Sequence, residues 1–174
     1  MGRWIVLLRG INVGGHNKLP MADLRVALGD AGYADVTTYI QSGNIALTAP
    51  TCTPDAISAV IADRFGLDVP AVVITPERLR EVVTANPFPE MEDEPKFLHL
   101  FLCNDPMPLG ADEAIDPADH APDRFAFGRS EIYVAYPQGQ ARSKLTNAVF
   151  DRVTGQVTTG RNWNTVRKLL DLAG

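Results

Sequence analysis

Arg9-Gly10-Ile11-Asn12-Val13-Gly14-Gly15-His16-Asn17-Lys18 joins an apolar run to a helical one, and that junction frames the chain. Upstream, Trp4-Ile5-Val6-Leu7-Leu8 is short, unbroken and apolar, and predicts a buried strand over 3–9. Downstream, residues 21–28 put Leu24, Ala27 and Leu28 on one helical face, predicting a helix over 21–31. Pro20 suits the start of that helix, where a missing N–H costs little, and Gly32 falls where a C-cap glycine belongs. Three glycines in a strand-to-helix loop allow positive φ or close approach to a ligand. The N–H groups opening the helix favour an anion, and Arg9 and Lys18 add positive charge. Asn12 and Asn17 add amide donors, and Gly14 and Gly15 leave the backbone open. The stretch lacks the Lys-Ser or Lys-Thr pair of a Walker A loop and the Gly-x-Gly-x-x-Gly of a dinucleotide fold. A plain turn whose glycines satisfy geometry is the competing explanation.

Working outward, Val36-Thr37-Thr38-Tyr39-Ile40 and Asn44-Ile45-Ala46-Leu47-Thr48 read as a hairpin around Ser42-Gly43. Thr53 is placed to cap a helix over 54–65, stopped by Gly66, and Ala71-Val72-Val73-Ile74 is the next strand. The order β-α-β-β-α-β is that of a ferredoxin-like unit. Pro76 opens a further helix that ends before Pro87. Residues 87–95, rich in proline and acid, read as a solvated linker.

A second series follows. Residues 96–103 form a strand, 111–119 a weak helix or loop broken by Pro117, and 124–127 with 131–136 a hairpin. Ser143 is placed to cap a helix over 144–153, followed by a short strand at 157–159 and a last helix over 162–172. The expected fold is therefore α+β, with two ferredoxin-like halves from an internal duplication and an extra C-terminal helix. The halves span 1–86 and 96–174, with 87–95 between them. Halves that share a cleft offer a natural ligand site.

Composition narrows the classes. The chain of 174 residues is 45% apolar, ordinary for a packed globular protein. Its net charge of −5, from 16 basic and 21 acidic residues, disfavours a general nucleic-acid binder. No apolar stretch approaches the roughly 20 residues that span a bilayer. The N-terminus lacks a cleavable signal pattern, and Cys52 and Cys103 lack metal-ligand spacing. A reduced cytoplasmic protein without a metal site is expected; cofactor and oligomeric state stay open.

Two further polar groups stand out. Gln41-Ser42-Gly43-Asn44 concentrates polar side chains at a hairpin tip, where turn chemistry alone also accounts for them. Arg161, beside Asn162 and Asn164 at the entry to the last helix, pairs a planar donor fork with free N–H groups. Lys144 and Asn147 on the preceding helix are expected to join it, with Arg142 just before. His99 reads as a sheet residue, and His120 as solvated in an acidic loop. No serine sits on a strand-to-helix elbow with a paired histidine, so no catalytic nucleophile is named.

The leading expectation is a pocket for an anionic small molecule, a nucleotide or phosphorylated metabolite, in a cleft between the halves. Its wall would be Arg9, Asn12, Gly14, Gly15, Asn17, Lys18, Gln41, Ser42, Asn44, Lys144, Asn147, Arg161, Asn162 and Asn164. An enzyme acting on that ligand, a nucleic-acid-binding module and a purely structural role for the polar motifs are the alternatives. An RNA-recognition sheet would carry stacking aromatics on its third strand, and residues 44–48 have none.

The sequence also resembles the bacterial domain-of-unknown-function 1697 family. The likeness rests on Leu7-Leu8-Arg9-Gly10-Ile11-Asn12-Val13-Gly14-Gly15, on Lys18, Met21 and Leu24, and on Thr38-Tyr39-Ile40-Gln41-Ser42-Gly43-Asn44. It continues in Ser143-Lys144-Leu145-Thr146-Asn147 and in Thr159-Gly160-Arg161-Asn162-Trp163-Asn164-Thr165-Val166. His16 departs from the lysine common at that position of the family. The resemblance implies two similar α+β sub-domains in a small cytoplasmic protein and implies no activity.

Overall fold

A computed structural model describes residues 1–174. The chain is α+β, with two four-stranded antiparallel sheets and five α-helices. It divides into two compact units, Met1–Arg80 with Lys168–Gly174, and Glu81–Arg167.

In the first unit, β1 (Gly2–Leu8) is followed by α1 (Met21–Asp30), β2 (Ala34–Tyr39), β3 (Asn44–Ala49), α2 (Pro54–Phe65) and β4 (Ala71–Ile74). The strand order is β2-β3-β1-β4. The most apolar strand is thus interior, with Val6 opposite Ile45 on one side and Val73 on the other. Val6 and Leu8 join Ile45 and Leu47 beneath Leu24, Leu28, Ile57 and Ile61 of the two helices. Thr53 accepts a hydrogen bond from the Ala56 N–H at 3.3 Å and Gly66 closes α2 in the left-handed region, as the capping pattern of the sequence requires. The Ser58 hydroxyl donates to the Val69 carbonyl at 2.8 Å and ties α2 to the chain entering β4.

In the second unit, α3 (Pro76–Thr84), which begins in the first, leads to β5 (Leu98–Leu102), β6 (Arg124–Phe127), β7 (Glu131–Ala135), α4 (Asn147–Thr154), β8 (Thr159–Asn162) and the start of α5 (Trp163–Ala173). Its order, β6-β7-β5-β8, repeats the pattern of the first sheet strand for strand. The connection from β5 to β6 holds two 3-10 turns, Asp112–Ala114 and Pro117–His120, where the first unit has α1. Phe101 and Phe150 pack at 4.7 Å between ring centres and anchor a core with Ile132, Val134, Tyr136 and Leu145.

Three local readings change. Helix α4 starts at Asn147 rather than 144, because the Ser143 hydroxyl accepts from the Leu145 N–H at 2.9 Å in a tight local turn instead of capping a helix. The strand expected at 157–159 lies at Thr159–Asn162. Thr158 donates both its N–H and its hydroxyl to Asp151 at 2.8 Å, which holds that residue to α4. Residues 87–95 lie within the second unit and form a 3-10 turn, Pro89–Asp93. Two of its carboxylates are engaged, Glu90 by Arg124 at 2.6 Å and Glu92 by Arg167 at 3.2 Å.

One glycine is fixed by space as well as backbone. A Cβ on Gly43 (φ +81) would lie 2.6 Å from the Leu8 Cβ and 2.9 Å from the Ile11 Cδ1. We expect Gly43→Ala to cost about 2–5 kcal/mol in urea unfolding, the sum of overpacking and left-handed strain. Gly66→Ala, in open space, should cost about 1–2 kcal/mol from strain alone.

Candidate functional site

The glycine-rich loop is held by its own amides. The Asn12 Nδ2 donates to the Leu19 carbonyl at 2.9 Å and to the Gln41 carbonyl at 2.7 Å. Its Oδ1 accepts from the Leu19 N–H at 2.8 Å, so one side chain closes the loop and joins it to the β2–β3 turn. The Asn17 Nδ2 donates to the Gly10 carbonyl at 3.0 Å. Both asparagines lie in the left-handed region, which asparagine tolerates better than most residues. Between them the His16 N–H donates to the Val13 carbonyl at 2.9 Å over Gly14 and Gly15, both with positive φ.

The hairpin tip follows the same logic. Asn44 is fully buried, and its Nδ2 donates to the Tyr39 carbonyl at 3.0 Å and the Ser42 hydroxyl at 2.9 Å. Beside it Ile40 has φ +50, a conformation that costs a β-branched residue about 1–3 kcal/mol. The first unit therefore brings together Arg9, Asn12, Gly14, Gly15, Asn17, Lys18, Gln41, Ser42 and Asn44, but the Asn12, Asn17 and Asn44 amides bind protein carbonyls. Gln41 contributes its carbonyl to Asn12 while its side chain and Lys18 are exposed.

Lys144, Asn147, Arg161, Asn162 and Asn164 fall in the second unit. Arg161 lies in β8 opposite Leu100, and its Nη1 donates to the Thr159 hydroxyl and the Gly160 carbonyl, both at 2.8 Å. Burial pulls its pKa down to about 10, which leaves the guanidinium charged at neutral pH. Asn162 accepts from the Thr165 N–H at 3.0 Å and so caps α5. Asn164 is exposed on the first turn of that helix. The Asn147 Oδ1 is buried without a hydrogen-bond partner, as is the Trp163 Nε1.

Lys144 has a different setting. Together with Arg142, Ser143 and Gln138 it lines a cavity of about 230 Å³ whose other wall is the loop carrying Asp119, His120 and Asp123. Neither Arg142 nor Lys144 makes a side-chain hydrogen bond or ion pair, in contrast to Arg3, Arg124, Arg161 and Arg167. The His120 Nδ1 is buried without a partner. Sequence reading found Lys144 and Arg142, took the acidic loop around His120 as solvated, and did not name Gln138. Residues 119–123 and 138–144 are separated by the β6–β7 hairpin, so no local pattern pairs them.

His99 is a packed sheet residue. Its ring stands edge-on to Tyr136 at 5.0 Å, and its Nε2 lies 3.2 Å from the Lys96 carbonyl. The two cysteines are buried and unpaired, and burial pushes Cys52 up to about 11 and Cys103 up to about 12. Neither thiol is a nucleophile at neutral pH.

Two outcomes follow from these settings. Asn12→Ala removes three hydrogen bonds and leaves loop carbonyls open, so unfolding in urea should lose about 1–3 kcal/mol. Burial also holds the His99 pKa below 6.5, so the unfolded chain takes up the proton first. Stability present above that value drains away as pH falls, and His99→Phe should show a smaller loss than the native chain between about pH 7 and pH 5.

The whole chain is similar in fold to a solved structure, "conserved bacterial protein SP0830 from Streptococcus pneumoniae". The TM-score is 0.71 at 21% identity, over 99% of this chain and 98% of that one. No curated protein matches the sequence. The family described as "Protein of unknown function (DUF1697)" matches residues 1–133, and the chain belongs to that family.

Proposed function

We propose that the protein binds an anionic small molecule, a nucleotide or phosphorylated metabolite, at the cavity lined by Arg142 and Lys144. One observation carries the reading: two exposed cations without a protein partner line the same cavity. Several of the other groups that could greet an anion are already engaged, while Lys18 stands exposed on its loop. Arg161 bonds to its own strand and Asn12 to two backbone carbonyls. An anion in the cavity supplies the partner that Arg142 and Lys144 lack, through charge-assisted hydrogen bonds.

A second reading covers the rest of the polar motifs. Asn12, Asn17, Asn44 and Asn162 are structural residues that fix loops and a helix start, as their bonds to main-chain groups support. We read the two units as ferredoxin-like folds from an internal duplication, supported by their common strand order. A reduced, cytoplasmic setting fits two cysteines buried without a disulfide. No helix is long and apolar enough to cross a membrane.

Isothermal titration with AMP, ribose 5-phosphate and inorganic phosphate tests the binding reading. At least one should bind, and Lys144→Ala or Arg142→Ala should weaken it about tenfold or more, the loss of one charge-assisted hydrogen bond. Binding by none of the three, or binding untouched by both substitutions, overturns it.

A further inference from the structure

We infer that the ligand of this cavity is a small phosphomonoester bearing hydroxyl groups, in the manner of a sugar phosphate, and not a nucleotide; this rests on the anion-binding reading above. Size is the first constraint. About 230 Å³ lies below the roughly 300–1,000 Å³ of sites that enclose drug-sized ligands. A phosphate with a short carbon chain fits within such a volume, whereas a nucleotide held there by its phosphate would leave its base at the open mouth.

The lining is the second constraint. It carries no Phe, Tyr or Trp on which a base would stack, and its apolar members are Ala121 and Pro122. Cations and carboxylates are balanced, Arg142 and Lys144 against Asp119 and Asp123. A ligand with several phosphates would gain two cations and be repelled by two carboxylates. A single phosphate with hydroxyls uses both halves of the lining. Arg142 and Lys144 donate to its oxygens, and the carboxylates accept from its hydroxyls, since an ionised carboxylate is an acceptor only. Gln138 and Ser143 add neutral groups able to donate and accept.

The two loops therefore have separable jobs. Residues 138–144 hold the charge and residues 119–123 read the hydroxyls. Titration of ribose 5-phosphate, inorganic phosphate and AMP against the native chain and two classes of variant reads this division. Ribose 5-phosphate should bind at least about tenfold more tightly than inorganic phosphate or AMP. Asp123→Asn should shrink the preference for ribose 5-phosphate over inorganic phosphate, while Arg142→Ala weakens both alike. Asp119→Asn serves the same purpose should Asp123→Asn fail to fold, and the melting temperature of each free variant reports that.

AMP binding as tightly as ribose 5-phosphate, yet weakened by Arg142→Ala, keeps the anion site and overturns the sugar-phosphate assignment. So does a sugar-phosphate preference untouched by both Asp→Asn changes. Absence of binding by all three probes overturns the assignment and the anion reading together.

Discussion

The first unit depends on one side chain that satisfies main-chain groups where no regular structure can. A loop between a buried strand and a helix leaves backbone N–H and C=O groups without ladder partners, and each unmet one costs free energy. The Asn12 amide meets three at once: the N–H and carbonyl of Leu19 and the carbonyl of Gln41. It thereby fixes the entry to α1 and the position of the β2–β3 turn together. Close packing of Gly43 against Leu8 and Ile11 depends on that turn staying where Asn12 holds it. The asparagine's left-handed φ is part of the same device, since it aims the amide across the loop.

The second unit meets the same strand order with a different connection. Where the first unit runs from its first strand to its second through the glycine loop and α1, the second runs through the 3-10 turns Asp112–Ala114 and Pro117–His120. Short 3-10 segments cover less surface than a helix of ten residues. The cavity beside Arg142 and Lys144 opens at that place. Two sheets of one strand order thus carry different connections, because the sheet's hydrogen bonds do not depend on how its crossovers are filled.

Most of the architecture was legible because burial imposes a period on the sequence. The apolar run at 4–8 lies in an interior strand, and Leu24, Ala27 and Leu28 are buried on one side of α1. Thr53 and Gly66 bound α2 by capping chemistry that is local and therefore readable. The misreadings sit where a polar side chain has two local uses. Ser143 can cap a helix or close a turn with its own backbone, and here it closes the turn by accepting from the Leu145 N–H. The engaged carboxylates of 87–95 were likewise invisible, since Arg124 and Arg167 are remote in sequence.

The site was less legible than the fold for a reason that lies in the chemistry of recognition. An amide or guanidinium that would bind a phosphate binds a backbone carbonyl with the same donors and much the same geometry. A glycine-rich loop studded with asparagine therefore has the composition of an anion cradle whether its donors face a ligand or the chain itself. What separates the two cases is whether the donors have already been satisfied, and that depends on carbonyls such as Gln41 and Leu19, whose positions no local pattern records. A cation left without a partner at the wall of a cavity is the complementary signal. Arg142 and Lys144 carry it in a segment with few glycines. In this fold, then, the most conspicuous polar sequence builds the scaffold, and the less conspicuous one retains unspent charge.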